Sequence, residues 1–121
     1  MTASRIFIVE DEAILLCDLE DIVTHLGYDL AGSATSLDEA MDKLRDGQKP
    51  DIALLDLNLN GTPSDPIADY LIAANVPILF VSGYGRRGLA ERFSACHVLQ
   101  KPYDETKLAN ALGRLIAGEA P

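Results

Sequence analysis

Basic residues and long apolar runs are both scarce in this 121-residue chain. Ten Lys and Arg stand against 19 Asp and Glu, a net charge of −9. Proteins grip nucleic-acid backbones through a basic footprint. The Arg86-Arg87 pair is too small to be one, so direct nucleic-acid binding is not expected. No apolar run approaches the roughly 20 residues of a membrane span. Met1-Thr2-Ala3-Ser4-Arg5 also lacks the apolar core of a signal peptide. A cytoplasmic location with no membrane partner follows. Cysteine is scarce as well: Cys17 and Cys96 form neither a CxxC pair nor a disulfide framework, and they read as reduced thiols of the core. Linkers and low-complexity segments are absent, which leaves one domain over 1–121 with an ordered core from about 5 to 117.

What is present suits a soluble globular fold, with 48% hydrophobic and 24% charged residues. The length is enough to bury a core without disulfides or a structural metal. The clearest single stretch is Asp51-Ile52-Ala53-Leu54-Leu55-Asp56. Its short continuous apolar run suits a strand buried on both faces of a parallel sheet. It ends on a carboxylate, which open α/β sheets place at their ligand-binding edge. Taken alone, Asp56 would more often be a turn or helix-cap residue.

Four further strands are expected, from Arg5 to Val9, Tyr28 to Ser33, Val76 to Val81 and His97 to Gln100. Helices fall between them. The first places Leu15, Leu19, Ile22, Val23 and Leu26 on one stripe and ends at Gly27. The second opens on the capping box Ser36-Leu37-Asp38-Glu39, buries Leu37, Ala40, Met41 and Leu44, and closes at Gly47. A loop from Leu57 to Pro63 leads to a third, which starts at Asp65-Pro66 and stops at Asn75. A short, weakly anchored fourth helix spans about Leu89 to Ser94, after the glycine-rich loop Gly83-Tyr84-Gly85-Arg86-Arg87-Gly88. The fifth starts near Asp104 and buries Leu108, Leu112, Leu115 and Ile116, and the tail from Gly118 looks frayed. Five βα units predict a doubly wound, five-stranded parallel sheet of order 2-1-3-4-5 with five helices.

In such a sheet all strand carboxyl ends lie on one edge. Glu10 and Asp11 follow the first strand, Asp56 the third, Ser82 the fourth and Lys101 the fifth. Three acids, a hydroxyl and an ammonium therefore meet around one crevice. Hard oxygen donors suit Mg²⁺ or Mn²⁺, with Asp11, Asp56 and the Asn58 backbone carbonyl as ligands and Glu10 acting through a water. Asp56 protrudes from the centre as the nucleophile toward phosphorus. Lys101 and the Ser82 hydroxyl stabilise the phosphoryl oxygens.

Together these segments resemble a two-component response-regulator receiver domain over nearly the whole chain. The resemblance rests on Ile8-Val9-Glu10-Asp11-Glu12, Leu54-Leu55-Asp56, Val81-Ser82-Gly83 and Lys101-Pro102. It implies a phosphoaspartate at Asp56 and Mg²⁺ at Asp11 and Asp56. It also implies a cis Lys101-Pro102 bond, and a sensor histidine kinase or histidine phosphotransfer protein as donor. A downstream protein partner would read the result. Such a domain is a signalling receiver rather than an enzyme, used as a single-domain regulator, relay or phosphate sink. Two departures stand out. Val98 occupies the usual place of an aromatic switch, and Asn60 stands where a proline is usual. With the stretch from Pro77 to Gly85, they make the chain similar to the atypical Phe-Ala-Thr-Gly-type (FAT GUY) receivers, often paired with HWE-type kinases. Switching is then expected in the segment from Gly83 to Gly88.

Other readings are weaker. A haloacid-dehalogenase-type, Mg-dependent aspartyl-phosphate phosphatase needs an acid two residues after the nucleophile, where this chain has Asn58. A flavodoxin-like cofactor binder would need a Ser/Thr/Gly-rich phosphate loop after the first strand, where Glu10-Asp11-Glu12 would repel phosphate. A non-phosphorylated docking module would not need the full set of site residues. His25 and His97 are expected to be structural, Phe93 and Tyr103 to pack or face a partner, and Tyr84 to pack or flank the site.

Overall fold

A computed structural model describes residues 4–121. The chain runs β1 (Arg5–Val9), α1 (Ala13–His25), β2 (Asp29–Ala34), α2 (Leu37–Asp46), β3 (Ile52–Asp56), β4 (Asn58–Leu59) and β5 (Thr62–Pro63). It continues with α3 (Asp65–Ala73), β6 (Ile78–Ser82), β7 (His97–Gln100) and α4 (Glu105–Ile116). The main sheet is parallel, in the order β2-β1-β3-β6-β7. This is the expected 2-1-3-4-5 arrangement once the two-residue strands β4 and β5, which pair only with each other, are set aside.

Period-two alternation along the central strands divides the core into two layers. Ile6, Ile8, Ile52, Leu54 and Leu79 face α1 and α4, where they meet Leu16, Leu19, Leu108 and Leu112. Phe7, Val9, Ala53, Leu55 and Phe80 face α2 and α3, where they meet Ala40, Leu44, Ile67 and Leu71. Because β3 is covered on both faces, every residue from Ile52 to Asp56 is buried, carboxylate included. Local signals set the helix ends. Ser36 Oγ accepts from the Glu39 N–H at 3.2 Å, and the Glu39 carboxylate reaches back to the N–H of Thr35. Asp104 caps α4 by accepting from the Lys107 N–H at 2.8 Å.

The structure corrects the expectations at Ile116, which lies at the end of α4 and is exposed rather than buried, and in four further places. Four α-helices form, not five: the stretch around Leu89 to Ser94 holds only 3₁₀ turns, at Gly85–Gly88 and Glu91–Phe93. With three glycines before it and Phe93 as its one buried anchor, it lacks the apolar stripe that pays for helix nucleation. Second, the expected loop from Leu57 to Pro63 contains the β4–β5 hairpin. Its turn is Asn60-Gly61, both at positive φ (54° and 86°), the Asn-Gly type I′ preference. Third, Cys17 is exposed and Cys96 half-buried. The inward stripe of α1 is Leu16, Leu19 and Val23, one residue round from the expected start at Leu15, and this turns Cys17 outward. Fourth, the tail is exposed but fastened. Glu119 places its carbonyl 2.8 Å from His97 Nε2 and donates its N–H to the Arg114 carbonyl at 3.0 Å.

Side chains hold the segment between β6 and β7 where helical hydrogen bonds are missing. Arg86 donates to the Ser94 carbonyl at 3.1 Å and the Cys96 carbonyl at 2.9 Å. Arg92 forks onto the Asp69 carboxylate of α3 with two bonds of 3.0 Å and approaches Asp65 at 3.7 Å. Phe93 is buried against Phe80, ring centroids 5.7 Å apart.

Candidate functional site

The carboxyl edge of the sheet gathers the five expected positions. Asp56 is the last residue of β3 and Ser82 the last of β6; Glu10 follows β1 and Lys101 follows β7. Glu10, Asp56 and Ser82 are buried, while Asp11 and Lys101 are half-buried. Lys101 Nζ lies 3.2 Å from Glu10 Oε1 and 3.2 Å from Asp56 Oδ2, so one ammonium spans two buried carboxylates. The Lys101 N–H donates to the Ser82 carbonyl at 2.9 Å, tying the ends of β6 and β7 together. The Lys101-Pro102 peptide bond is cis.

Each remaining acceptor is oriented by a nearby amide. Glu10 Oε2 accepts from the Glu12 N–H at 3.2 Å, and Asp56 Oδ1 from the Asn58 N–H at 3.2 Å. Ser82 Oγ accepts from the Tyr84 N–H at 3.1 Å, which leaves the hydroxyl proton free to be donated. Asp11 Oδ2 accepts from the Asn60 N–H at 3.0 Å, so the hairpin tip rests on the acid cluster. Asn58 shapes that hairpin, its side-chain oxygen accepting from the Gly61 N–H at 2.7 Å. Pro63, opposite Asn58 in the ladder, has no N–H to give, so this pairing does not consume the Asn58 carbonyl.

Crowded charge sets the electrostatics. Burial, followed by hydrogen bonding to Asp11 and Asp56 and repulsion from Asp56, pushes the Glu10 carboxyl up to about 7. Desolvation acts the same way on Asp11, but there the Glu10 and Asn60 hydrogen bonds and the Lys101 charge outweigh it and hold the carboxyl below its ordinary value. Desolvation pulls Lys101 down, but the Asp56 and Glu10 charges outweigh it and raise the ammonium above its ordinary value. One carboxylate oxygen from each of Glu10, Asp11 and Asp56 lies within 4.8 Å of the others. A compact set of hard oxygen donors fits a small divalent cation that keeps part of its water shell.

The site opens into a cavity of about 660 Å³ lined by Asp11, Asp56, Ser82, Tyr84, Arg87 and Lys101, among others. Tyr84 is 73% exposed, which rules out a packing role. Phe93 is core. Tyr103 is half-buried against the α1 and α4 layer, where burial pushes its phenol up to about 12. His25 is exposed at the end of α1, and His97 is buried on β7 beside the tail. Val98 packs into the α2 and α3 layer. Sequence reasoning missed three features: the Asn60 amide, the packing of Gly88 on Leu57, and Arg87 at the cavity wall. Arg87 was visible only as half of a basic pair, and its lining position depends on how the segment after Ser82 is folded.

Comparison with known proteins agrees with this geometry. The family model described as the response regulator receiver domain matches residues 6–113. The chain is 29% identical over 117 residues to the Phyllosphere-induced regulator PhyR of Methylorubrum extorquens, covering 94% of this chain and 44% of that protein. It is 32% identical over 118 residues to the Chemotaxis protein CheY of Thermotoga maritima, covering 92% of this chain and 96% of that protein. The chain thus spans less than half of one relative and nearly all of the other. The solution structure of the receiver (REC) domain of Erythrobacter litoralis PhyR superposes with a TM-score of 0.85 at 28% identity, covering 98% of this chain and 94% of that one.

Proposed function

Since the chain belongs to the response regulator receiver domain family, we propose that Asp56 accepts a phosphoryl group from a phosphohistidine. The donor is a sensor histidine kinase, of the HWE type often paired with the atypical subgroup, or a histidine phosphotransfer protein. The observation that carries this reading is the placement of Asp56. It is buried at the end of the central strand, opens into the cavity, and is held 3.2 Å from an ammonium beside two further acids.

The reaction is a displacement at phosphorus. An Asp56 carboxylate oxygen forms the new O–P bond, the P–N bond of the donor breaks, and its electron pair returns to the imidazole ring. Lys101 offsets negative charge on the transferring group, and the Ser82 hydroxyl donates to one of its oxygens. Asp11, Asp56 and the Asn58 carbonyl would hold Mg²⁺ or Mn²⁺, with Glu10 acting through a water, and the bound cation would supply further positive charge beside the phosphoryl oxygens. The chain turns over no separate substrate. It assists its own phosphorylation and dephosphorylation as a cytoplasmic regulator, relay or phosphate sink, and it signals to a protein partner rather than to nucleic acid or membrane.

Readout is assigned to the segment after Ser82. Ser82 Oγ already holds the Tyr84 amide, and Val98 carries no aromatic ring that could swing. The test of the phosphoacceptor is intact-mass analysis after incubation with Mg²⁺ and acetyl phosphate. One added phosphoryl group, lost in Asp56→Asn, supports the reading. No adduct with any donor, a cognate kinase included, would favour a docking module.

A further inference from the structure

We infer that Arg87 is a second cationic binding residue for the phosphoryl group on Asp56, and the inference rests on the phosphoacceptor reading above. Three arginines sit in the segment between β6 and β7, and two are committed to holding it. Arg86 is spent on the Ser94 and Cys96 carbonyls, and Arg92 on the carboxylates of Asp65 and Asp69. The Arg87 guanidinium has no hydrogen-bond or ion-pair partner among the described residues, and Arg87 is exposed and lines the same 660 Å³ cavity as Asp56.

The backbone beside Arg87 is fixed relative to the site. A Cβ on Gly88 would lie 2.7 Å from Leu57 Cδ2, so the chain at this point is pressed onto the residue that follows Asp56. Arg87 therefore starts from a set place at the cavity wall. Charge gives it something to bind. The cavity is lined by Asp11, Glu12, Asp56 and Asp65 against only Lys101 and Arg87, and Lys101 is already divided between Glu10 and Asp56. Phosphorylation adds negative charge and new acceptor oxygens to Asp56. A guanidinium matches the oxygens of a phosphoryl group with paired donors. When the group is present, the Arg87 guanidinium turns from this set place into the cavity and binds it.

The test compares the wild-type chain, Arg87→Gln, Arg87→Lys and the remote charge control Arg45→Gln. Two quantities are read: affinity for beryllofluoride with Mg²⁺, and the rate of Asp56 phosphorylation by acetyl phosphate. Arg87→Gln should weaken beryllofluoride binding about tenfold, the value of one charge-assisted hydrogen bond. Arg87→Lys should fall between wild type and Arg87→Gln, and Arg45→Gln should match wild type. Equal affinities in wild type and Arg87→Gln, or equal losses in Arg87→Gln and Arg45→Gln, would overturn the inference while leaving Asp56 as acceptor. A wild type that takes up neither beryllofluoride nor phosphoryl would overturn the phosphoacceptor reading, and this inference with it.

Discussion

Gly88 rests on Leu57 so closely that a single added methyl would stand 2.7 Å from Leu57 Cδ2. Leu57 directly follows Asp56, so the residue next to the carboxylate touches the segment assigned to readout. Gly88→Ala must displace either the end of the Leu57 side chain or the turn. Overpacking of this kind costs about 1 kcal/mol where a flexible side chain can yield. The expected outcome is a modest drop in thermal midpoint for Gly88→Ala, and little further drop when the same change is made in a Leu57→Ala background, which carries its own loss of packing. A double variant that loses the sum of two separate penalties would show that the two residues do not communicate.

Glu10 gives the metal-free protein an unusual pH dependence. Its carboxyl is raised from an ordinary value of 4.5 to about 7, so the folded chain binds this proton more tightly than the unfolded chain. The stabilisation is full below 4.5 and is lost as pH rises through about 7. Denaturant titrations without divalent ions should therefore show stability falling across that window, and Glu10→Gln should flatten the fall. Mg²⁺ affinity should rise over the same range, because a cation competes with that proton. A Glu10→Gln profile parallel to wild type would place the titration elsewhere.

Acid crowding alone would make Asp11→Ala stabilising in the absence of metal. The structure argues the opposite sign, because the Asp11 carboxylate is held below its ordinary value and accepts the Asn60 N–H at 3.0 Å. Removing it forfeits a bond worth about 0.5–1 kcal/mol at an exposed position. It also frees the Asn60-Gly61 tip. Chemical denaturation should show a loss of that size, and hydrogen exchange at the Asn60 amide should quicken. Mg²⁺ titration of the same variant should show weakened binding. An increase in metal-free stability would mean that repulsion dominates after all.

The parts of the molecule legible in the sequence were those governed by burial. The run from Ile52 to Asp56 announced a strand covered on both faces, and the strand ends at Glu10, Ser82 and Lys101 fell at one edge because parallel topology places them there. What depends on one turn meeting another was harder to read. Asn60-Gly61 carried a hairpin signal, but two-residue strands are too short to show any alternation. Ile14-Leu15-Leu16 supplied three consecutive apolar residues, so the inward face of α1, and with it the exposure of Cys17, was ambiguous by one position. Around Leu89 to Ser94 the polar and apolar residues were compatible with a weak helix. The arginine attachments that hold the segment in another form join residues as far apart as Asp69 and Arg92. Arg87 acquires its place only through that arrangement.

The fastening of this segment has a consequence for the solution in which the protein works. A helix lying on the sheet would be held mainly by buried apolar surface, which simple salts barely weaken. Here the link to α3 is the exposed guanidinium of Arg92 between Asp65 and Asp69. Charges at such a surface are screened over about 8 Å at physiological ionic strength. The strength of the link between readout segment and α3 is therefore set partly by the surrounding electrolyte, and a cell that concentrates its salts would loosen this segment before it disturbed the sheet.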